Sequence, residues 1–138
     1  MHEWALAEAV ISTSIKTSQH ENLKKISEII IRVGELQQID MMIFQFALKE
    51  IIRFQDSRID EHTKFTFITE TALLQCRVCH HRWPFKQATK QLKEDESESI
   101  HFLPEAAHVY IRCPHCDSPD FDITSGRGVW VDSIKGER

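Results

Sequence analysis

Two short stretches decide the fold of this chain: Cys76-Arg77-Val78-Cys79 and Cys113-Pro114-His115-Cys116. In each stretch a short gap separates the cysteines, which lets backbone N–H groups turn toward the sulfurs and offset thiolate charge. Four thiolates match the tetrahedral coordination that Zn²⁺ accepts in structural sites. The pattern therefore predicts one structural zinc ion held by Cys76, Cys79, Cys113 and Cys116.

The segment between the two pairs is long. It holds 33 residues, 80 to 112, and so exceeds the commonest zinc-ribbon spacing. Within it, residues 86–99 are dense in Lys, Glu, Asp, Gln and Ser. Such a composition favours a solvated loop or an exposed helix over a buried core. We therefore interpret residues 73–123 as an inserted zinc-ribbon-like domain.

Cysteine pairs of this spacing have other uses. A lone pair occurs in thiol–disulfide redox proteins, and cysteine clusters also hold iron–sulfur groups. Two pairs in one small chain favour a metal site over redox chemistry, and zinc over iron–sulfur. Four cysteines close the coordination sphere, whereas a catalytic zinc keeps one position open. Because no glycine-rich phosphate loop and no nucleophile–base arrangement stands out either, we predict that the protein is not an enzyme.

The segments outside the cysteine region alternate between helix and strand. Apolar periodicity and β-branched runs predict a helix over 3–18, a strand over 29–33, a helix from the cap Asp40 to about Gln55, and strands over 64–69 and 128–132. Two helices on one face of a three-stranded sheet would make a small α+β domain. We predict that residues 1–72 and 124–138 form this domain and that the zinc domain is inserted into it.

Charge and hydropathy restrict the function classes. The formal net charge is −4, and four thiolates with one Zn²⁺ would take it to about −6, since the ligands add −4 and the metal +2. This argues against non-specific nucleic-acid binding, which needs clustered Lys and Arg. Glu3 and Glu8 interrupt the apolar residues of the N-terminus, so we expect no signal peptide. No run long enough to span a membrane occurs, and we expect a cytoplasmic location.

The N-terminus carries a second potential metal site. The α-amine, the His2 amide nitrogen and the His2 Nδ1 atom can chelate one metal ion in fused rings, and the Glu3 amide can replace the amine. Nitrogen donors of this kind favour square-planar Ni²⁺ or Cu²⁺. The residues alone leave nickel and copper open.

Four features together are typical of a known family. The chain begins Met1-His2-Glu3, continues with Val33-Gly34-Glu35-Leu36, contains the two cysteine pairs and closes with Gly126-Arg127-Gly128-Val129. In this combination the sequence resembles the HypA family of hydrogenase nickel-incorporation proteins over nearly its whole length. The pairs stand farther apart than in many bacterial members, and the longer insert resembles that of archaeal members.

The resemblance implies a nickel metallochaperone for the maturation of nickel–iron hydrogenase. It implies nickel as cargo at His2 with Glu3 beside it, and structural zinc at the four cysteines. The implied partners are the nucleotide-hydrolysing protein HypB and the hydrogenase large subunit precursor, and in some organisms members also serve urease. The alternative from the residues alone is a zinc-ribbon interaction module for nucleic acid or a transcription complex, which needs a basic face.

Several residues keep more than one interpretation. His101, His62 and His108 are candidates for an extra nickel ligand, and each can equally be an ordinary surface histidine. Three more histidines adjoin the cysteines and either face solvent or tune the zinc site: His80, His81 and His115. The C-terminal strand returns to the first domain after the insert, so a homodimer formed by exchange of segments is conceivable.

Overall fold

The backbone alternates helix and strand as far as the first cysteine pair. The structure, a computed structural model, describes residues 2–37, 39–54 and 57–138. In chain order its main elements are α1 (Glu3–His20), β1 (Lys25–Gly34), α2 (Met41–Ile52), β2 (Lys64–Glu70), β3 (Leu73–Cys76), β4 (Arg82–Pro84), α3 (Phe85–Thr89), α4 (Glu94–Phe102), α5 (Ala107–Tyr110), β5 (Phe121–Ser125) and β6 (Val129–Glu137). A short 3-10 helix, Pro104–Ala106, joins α4 to α5.

The chain divides into two units, of which the first comprises residues 1–32, 39–68 and 129–138. Its sheet has the strand order β2-β1-β6, and α1 packs against α2 and β6. Its core comes from one face of each element and includes Ala7, Val10, Ile11, Ile26, Ile29, Ile31, Phe44, Ala47 and Leu48. The predicted combination of two helices with a three-stranded sheet is confirmed.

Strands β1 and β6 are longer than the sequence pattern predicts. β1 begins at Lys25 and β6 runs to Glu137. Apart from Ile26 and Ile134 their added ends are polar, so the continuous apolar run stops before the backbone pairing does. The pairing continues there, since the Lys24 N–H donates to the Glu137 carbonyl at 2.7 Å and the Ser27 hydroxyl donates to the Lys135 carbonyl at 3.1 Å.

Helix α2 begins at the predicted cap. The Asp40 carboxylate accepts the Ile43 N–H at 3.1 Å and so satisfies one of the backbone donors that a helix leaves free at its start. The face that follows buries Phe44, Ala47, Leu48 and Ile52. The helix ends at Ile52, and the predicted limit near Gln55 lies outside the described residues.

The second unit comprises residues 33–38 and 69–128. It has a sheet of its own with the order β4-β3-β5, in which both outer strands run antiparallel to β3. Leu74 pairs with Trp83 on one side and Ile123 on the other, and Cys76 pairs with Phe121. The polar stretch 86–99 covers most of α3, the turn after it and the first part of α4, whose one fully buried residue is Ile100. It agrees with the prediction of a solvated loop or an exposed helix.

The segment that follows β1 belongs to this second unit. Leu36 is fully buried in the core of the unit, and its N–H donates to the Gly126 carbonyl at 2.9 Å. The Glu35 carboxylate accepts the Ala72 N–H at 2.8 Å. A Cβ atom on Gly34 would lie 2.3 Å from the Gly126 oxygen, so only glycine fits at this close approach. Residues 33–37, which the sequence prediction includes in the first domain, therefore pack with the second unit.

We expect Asp40→Ala to lower the free energy of unfolding by about 1 kcal/mol, because the N–H of Ile43 loses its partner. Asp40→Asn keeps an oxygen acceptor at the cap and should stay within a few tenths of a kcal/mol of the parent protein. Denaturant titration followed by circular dichroism measures both. Equal stability of the alanine and asparagine variants would contradict the assignment of the cap.

Candidate metal centre

Each cysteine pair lies in a tight backbone turn. The first follows β3 and precedes β4, and the second lies between α5 and β5. In the first turn the Val78 and Cys79 N–H groups donate to the Cys76 sulfur at 3.3 and 3.4 Å. In the second the His115 N–H donates to the Cys113 sulfur at 3.4 Å. Both turns thus direct backbone donors at a sulfur, as the cysteine spacing predicts.

The two turns are built alike. The Cys76 carbonyl accepts the His80 N–H at 3.0 Å, and the Cys113 carbonyl accepts the Asp117 N–H at 2.8 Å. The residue after each pair, His80 or Asp117, has a φ of 65°. This left-handed conformation is one that glycine adopts freely and that other residues adopt at a cost. The equivalence explains how two distant stretches present their sulfurs in the same way.

The four sulfurs converge on one point. All lie within 4.8 Å of one another, with 3.5 Å between Cys76 and Cys116 and 3.6 Å between Cys79 and Cys113. These are free thiols, and the distances far exceed the ~2.05 Å of a disulfide bond. A tetrahedral site with Zn–S bonds of ~2.3 Å places its sulfurs about 3.8 Å apart. The donor set and its spacing fit a metal ion of that kind.

The four cysteines differ in how deeply they are buried. Cys76 and Cys113 are buried within the core of the second unit, next to residues such as Trp83 and Phe121. Cys79 is half-buried and Cys116 is exposed. A metal ion here would be anchored on its inner side by the core and would remain open to exchange from its outer side.

The thiols differ in acidity. The Cys79 N–H, partly opposed by burial, lowers the pKa of the Cys76 thiol to about 7. The Ser118 N–H lowers the pKa of Cys116, but burial and the neighbouring thiols outweigh it and raise that pKa to about 12. For Cys79 the His81 N–H lowers the pKa. Burial and the Cys113 thiol raise it by more than this, so the pKa of Cys79 is raised overall. Cys76 is therefore the first of these three to become a thiolate, the form that binds metal.

An ion-pair network joins the first cysteine turn to the start of β5 and was not predicted from the sequence. The Arg77 Nη1 lies 3.1 Å from an Asp120 carboxylate oxygen, and the guanidinium also contacts Asp122 at the start of β5. The Arg77 N–H donates to the Asp120 carbonyl at 3.0 Å. These groups are about half exposed, which limits the energy of the pairs. The partners are 43 to 45 residues apart in the chain, so no local pattern indicates them.

The predicted nickel residues lie at the start of α1. His2 is the exposed residue that precedes the helix, and Glu3 is its first residue. The Glu3 carboxylate accepts the Asp40 N–H at 3.2 Å, and this hydrogen bond lowers the pKa of Glu3. Among the described residues, the four cysteines are the one group of three or more His, Cys, Asp or Glu side chains that converge.

The other histidines have separate environments. His81 stacks on Trp83 and on His115, with ring centroids 6.0 and 5.5 Å apart. The His101 Nδ1 lies 3.1 Å from the Leu36 carbonyl oxygen, and the His108 Nδ1 lies 3.0 Å from the Pro119 carbonyl oxygen. A ring whose Nδ1 donates to a carbonyl keeps the lone pair of its Nε2 for a metal or a proton. His80 and His62 are exposed.

Comparison with known proteins identifies relatives over the whole length. Residues 1–136 match a family described as hydrogenase/urease nickel incorporation, metallochaperone, hypA. The chain is 42% identical to the hydrogenase maturation factor HypA of Pyrococcus abyssi over 138 residues, which cover 100% of this chain and 97% of that protein. It is 40% identical to the HypA of Thermococcus onnurineus with the same coverage.

The fold also matches a solved structure. A solution structure of the Ni metallochaperone HypA from Helicobacter pylori superposes with a TM-score of 0.64 and 18% identity, covering 99% of this chain and 98% of that one. At this identity the match concerns the fold, and it agrees with the mixed helical and sheet architecture described above.

The two residues with a left-handed backbone conformation, His80 and Asp117, allow a test of the turn geometry. We expect His80→Gly to stabilise the Zn²⁺-loaded protein by up to about 1 kcal/mol, because glycine removes the steric cost of φ 65°. Asp117→Gly should gain less, since aspartate tolerates this conformation better than most residues. Denaturant midpoints give both values. If His80→Ala stabilised as much as His80→Gly, backbone strain would not be the cause.

The acidities predict how metal binding depends on pH. The raised pKa values of Cys79 and Cys116 keep both thiols protonated near pH 7, and Cys76 binds its proton as the pH falls through about 7. Metal binding must displace these protons, so apparent Zn²⁺ affinity should fall at least about 100-fold for each pH unit below 7. Competition with a chromophoric chelator measures this slope. A slope near tenfold would mean that most sulfurs are thiolates before metal binds.

Proposed function

The chain belongs to the HypA family of nickel-incorporation metallochaperones, and from this premise we propose that it carries one Ni²⁺ at its N-terminal end and one Zn²⁺ between its four cysteines. It is a nickel metallochaperone of hydrogenase maturation, and this family is not one of enzymes. The nucleic-acid-binding alternative gains no support from its relatives. The observation that supports zinc is that four free thiols converge on one point.

The start of α1 is suited to nickel for a backbone reason. The first N–H groups of a helix have no acceptor within the helix, and the amides of His2 and Glu3 belong to this group. They can lose their protons to a metal without breaking a helical hydrogen bond. The positive end of the helix dipole favours the negative charge that then develops on the nitrogens. The exposed His2 imidazole adds a further donor at the same place.

The Glu3 side chain has a separate task in this proposal. Its carboxylate is engaged by the Asp40 N–H, at the start of α2. The hydrogen bond holds the first turn of α1 beside α2, so that the proposed nickel donors at the start of α1 keep a fixed position. Glu3 then contributes its amide nitrogen to nickel and its carboxylate to positioning.

Zinc supplies a cross-link between the two cysteine turns and takes no part in nickel transfer. Its ligand set leaves no open position for substrate. We propose that nickel moves between this chain and its partners by ligand exchange at the exposed N-terminal end. The proposed partners are HypB, which hydrolyses nucleotide, and the hydrogenase large subunit precursor, and the proposed location is the cytoplasm. Within the described ranges, every helix is too short or too polar to cross a membrane.

Titration of Ni²⁺ into the zinc-loaded protein tests the terminal site. We expect one equivalent to bind with the absorption of square-planar nickel, and His2→Ala to lose this binding while zinc stays at one equivalent. His20→Ala is the matched control, because it removes another exposed imidazole from the same unit at the opposite end of α1 and should bind nickel as the parent does. Calorimetry gives the stoichiometry.

Two further variants distinguish which nitrogen atoms bind nickel. Glu3→Gln should keep the nickel spectrum, because the amide nitrogen is unchanged, whereas a Gly-Ser extension before Met1 removes the free amine from its place. Loss of binding in the extended protein assigns the amine to nickel, and retention assigns the amides and imidazole. Equal nickel binding by the parent, His2→Ala and extended proteins would refute a terminal site.

A further inference from the structure

Four large apolar side chains lie exposed on the first unit, where α1 and α2 pack against each other. The Trp4 ring of α1 meets the Phe46 ring of α2 edge to face, with the ring centroids 6.0 Å apart. Met42 and Ile43 stand on α2 one turn before Phe46. These four side chains form a continuous surface, here called the apolar patch.

The apolar patch is large enough to take part in an interface. Between 44 and 84% of each of its four residues is exposed. A large side chain has ~200 Å² of surface, so the patch presents about 450 Å² to solvent. This area matches the largest apolar patches of monomeric proteins, which are often interaction sites.

A shallow groove runs along α1 beside the apolar patch. Its volume is about 620 Å³, and three of its lining residues are small and exposed: Ala5, Ala9 and Ser12. Glu8 also lines the groove and lies one turn after Trp4, so it joins the groove to the apolar patch. Small side chains on an exposed helix face leave space into which side chains of another helix can pack.

The outer face of α2 has the opposite shape. Met42, Phe46 and Lys49 follow one another at helical spacing and form an exposed ridge. The ridge lies on the side of the helix away from the buried Phe44 and Leu48. One surface of the chain thus carries a groove on α1 and a ridge on α2, with the contact between the two aromatic rings joining them.

The groove and the ridge carry opposite charges. Glu8 is the one carboxylate among the residues that line the groove, and Lys49 lies at the end of the ridge. In the part of the chain that the structure describes, neither side chain is in an ion pair. Lys16 also lines the groove, two turns beyond Glu8. A surface with an acid in its groove and a base on its ridge is complementary to itself about a two-fold axis.

From this shape and charge we propose that the surface binds a second copy of the same chain. In the two-fold dimer the α2 ridge of each copy lies in the α1 groove of the other, and Lys49 of each copy faces Glu8 of the other. Twice the apolar area, with the groove and its charged residues added, reaches the ~1,000 Å² that a specific interface needs. No strand is exchanged between the copies. The contact uses neither His2 nor nickel, so it is independent of the proposed nickel transport.

Sedimentation equilibrium of the zinc-loaded full chain without nickel, from about 1 µM to 1 mM, tests the dimer. We expect Met42→Glu to weaken association at least about tenfold, because it places a carboxylate in the contact. Glutamate is favourable in the first turn of a helix, so this change leaves α2 folded.

Phe102→Glu is the matched control, because it makes the same change in charge at an equally exposed side chain of the second unit. It should associate as the parent does. A parent protein that stayed monomeric throughout would overturn the proposal, and so would equal weakening by both variants. A dimer that Met42→Glu left intact would point to exchange of C-terminal strands and would also overturn it.

Reversal of the two charges tests the two-fold arrangement. Glu8→Lys and Lys49→Glu should each weaken the dimer about threefold to tenfold, because like charges then face each other. A net-charge effect would instead act in opposite directions, since the first change makes the chain less negative and the second makes it more negative. An equimolar mixture of the two variants should form a mixed dimer about as tight as that of the parent, because both contacts again join opposite charges. A mixture that associates no better than either variant alone would refute the arrangement.

Discussion

The fold of the second unit depends on the convergence of four cysteine sulfurs on one point. Two of them, Cys76 and Cys113, are also part of its buried core. The rest of that core is small, with Trp83, Phe85 and Phe121 as its aromatic members. A unit of this size buries little apolar surface, and domains below about 70–80 residues commonly need a metal or disulfides. A metal ion among the sulfurs would join the end of β3 to the turn before β5 and fix both cysteine turns at once.

This constraint explains why the long insertion is tolerated. The cross-link fixes the two ends of the segment between the cysteine pairs, so its middle can carry short helices and exposed charge. α4 buries only Ile100 completely and exposes most of its acidic residues, while Trp83, Leu92 and Ile111 line a cleft beside the second cysteine turn. The insertion therefore adds exposed surface, whereas the two turns bring the cysteine sulfurs together. The proposed nickel donors, His2 and Glu3, lie in the other unit at the start of α1.

The sequence predicts the metal ligands and the first unit because both have local signals. Cysteine spacing identifies the sulfurs, and apolar periodicity identifies α1, α2 and the centres of the strands. The sheet of the second unit has no such signal, because β3 has four residues and β4 has three, too few for an alternating pattern. The Arg77 network and the packing of Leu36 join residues far apart in the chain. Such contacts follow from the assembled fold and leave no periodic pattern in the sequence.

The central claim is that one metal ion holds the second unit together and that the first unit folds without it. Removal of zinc by a chelator, followed by ¹⁵N–¹H correlation spectra of the whole chain, tests this most directly. We expect the signals of residues 69–128 to collapse to the narrow range of unfolded amides while those of α1, α2 and the β2-β1-β6 sheet keep their dispersion, and we expect zinc to restore the original spectrum. A spectrum of the second unit that kept its dispersion without metal would contradict the account.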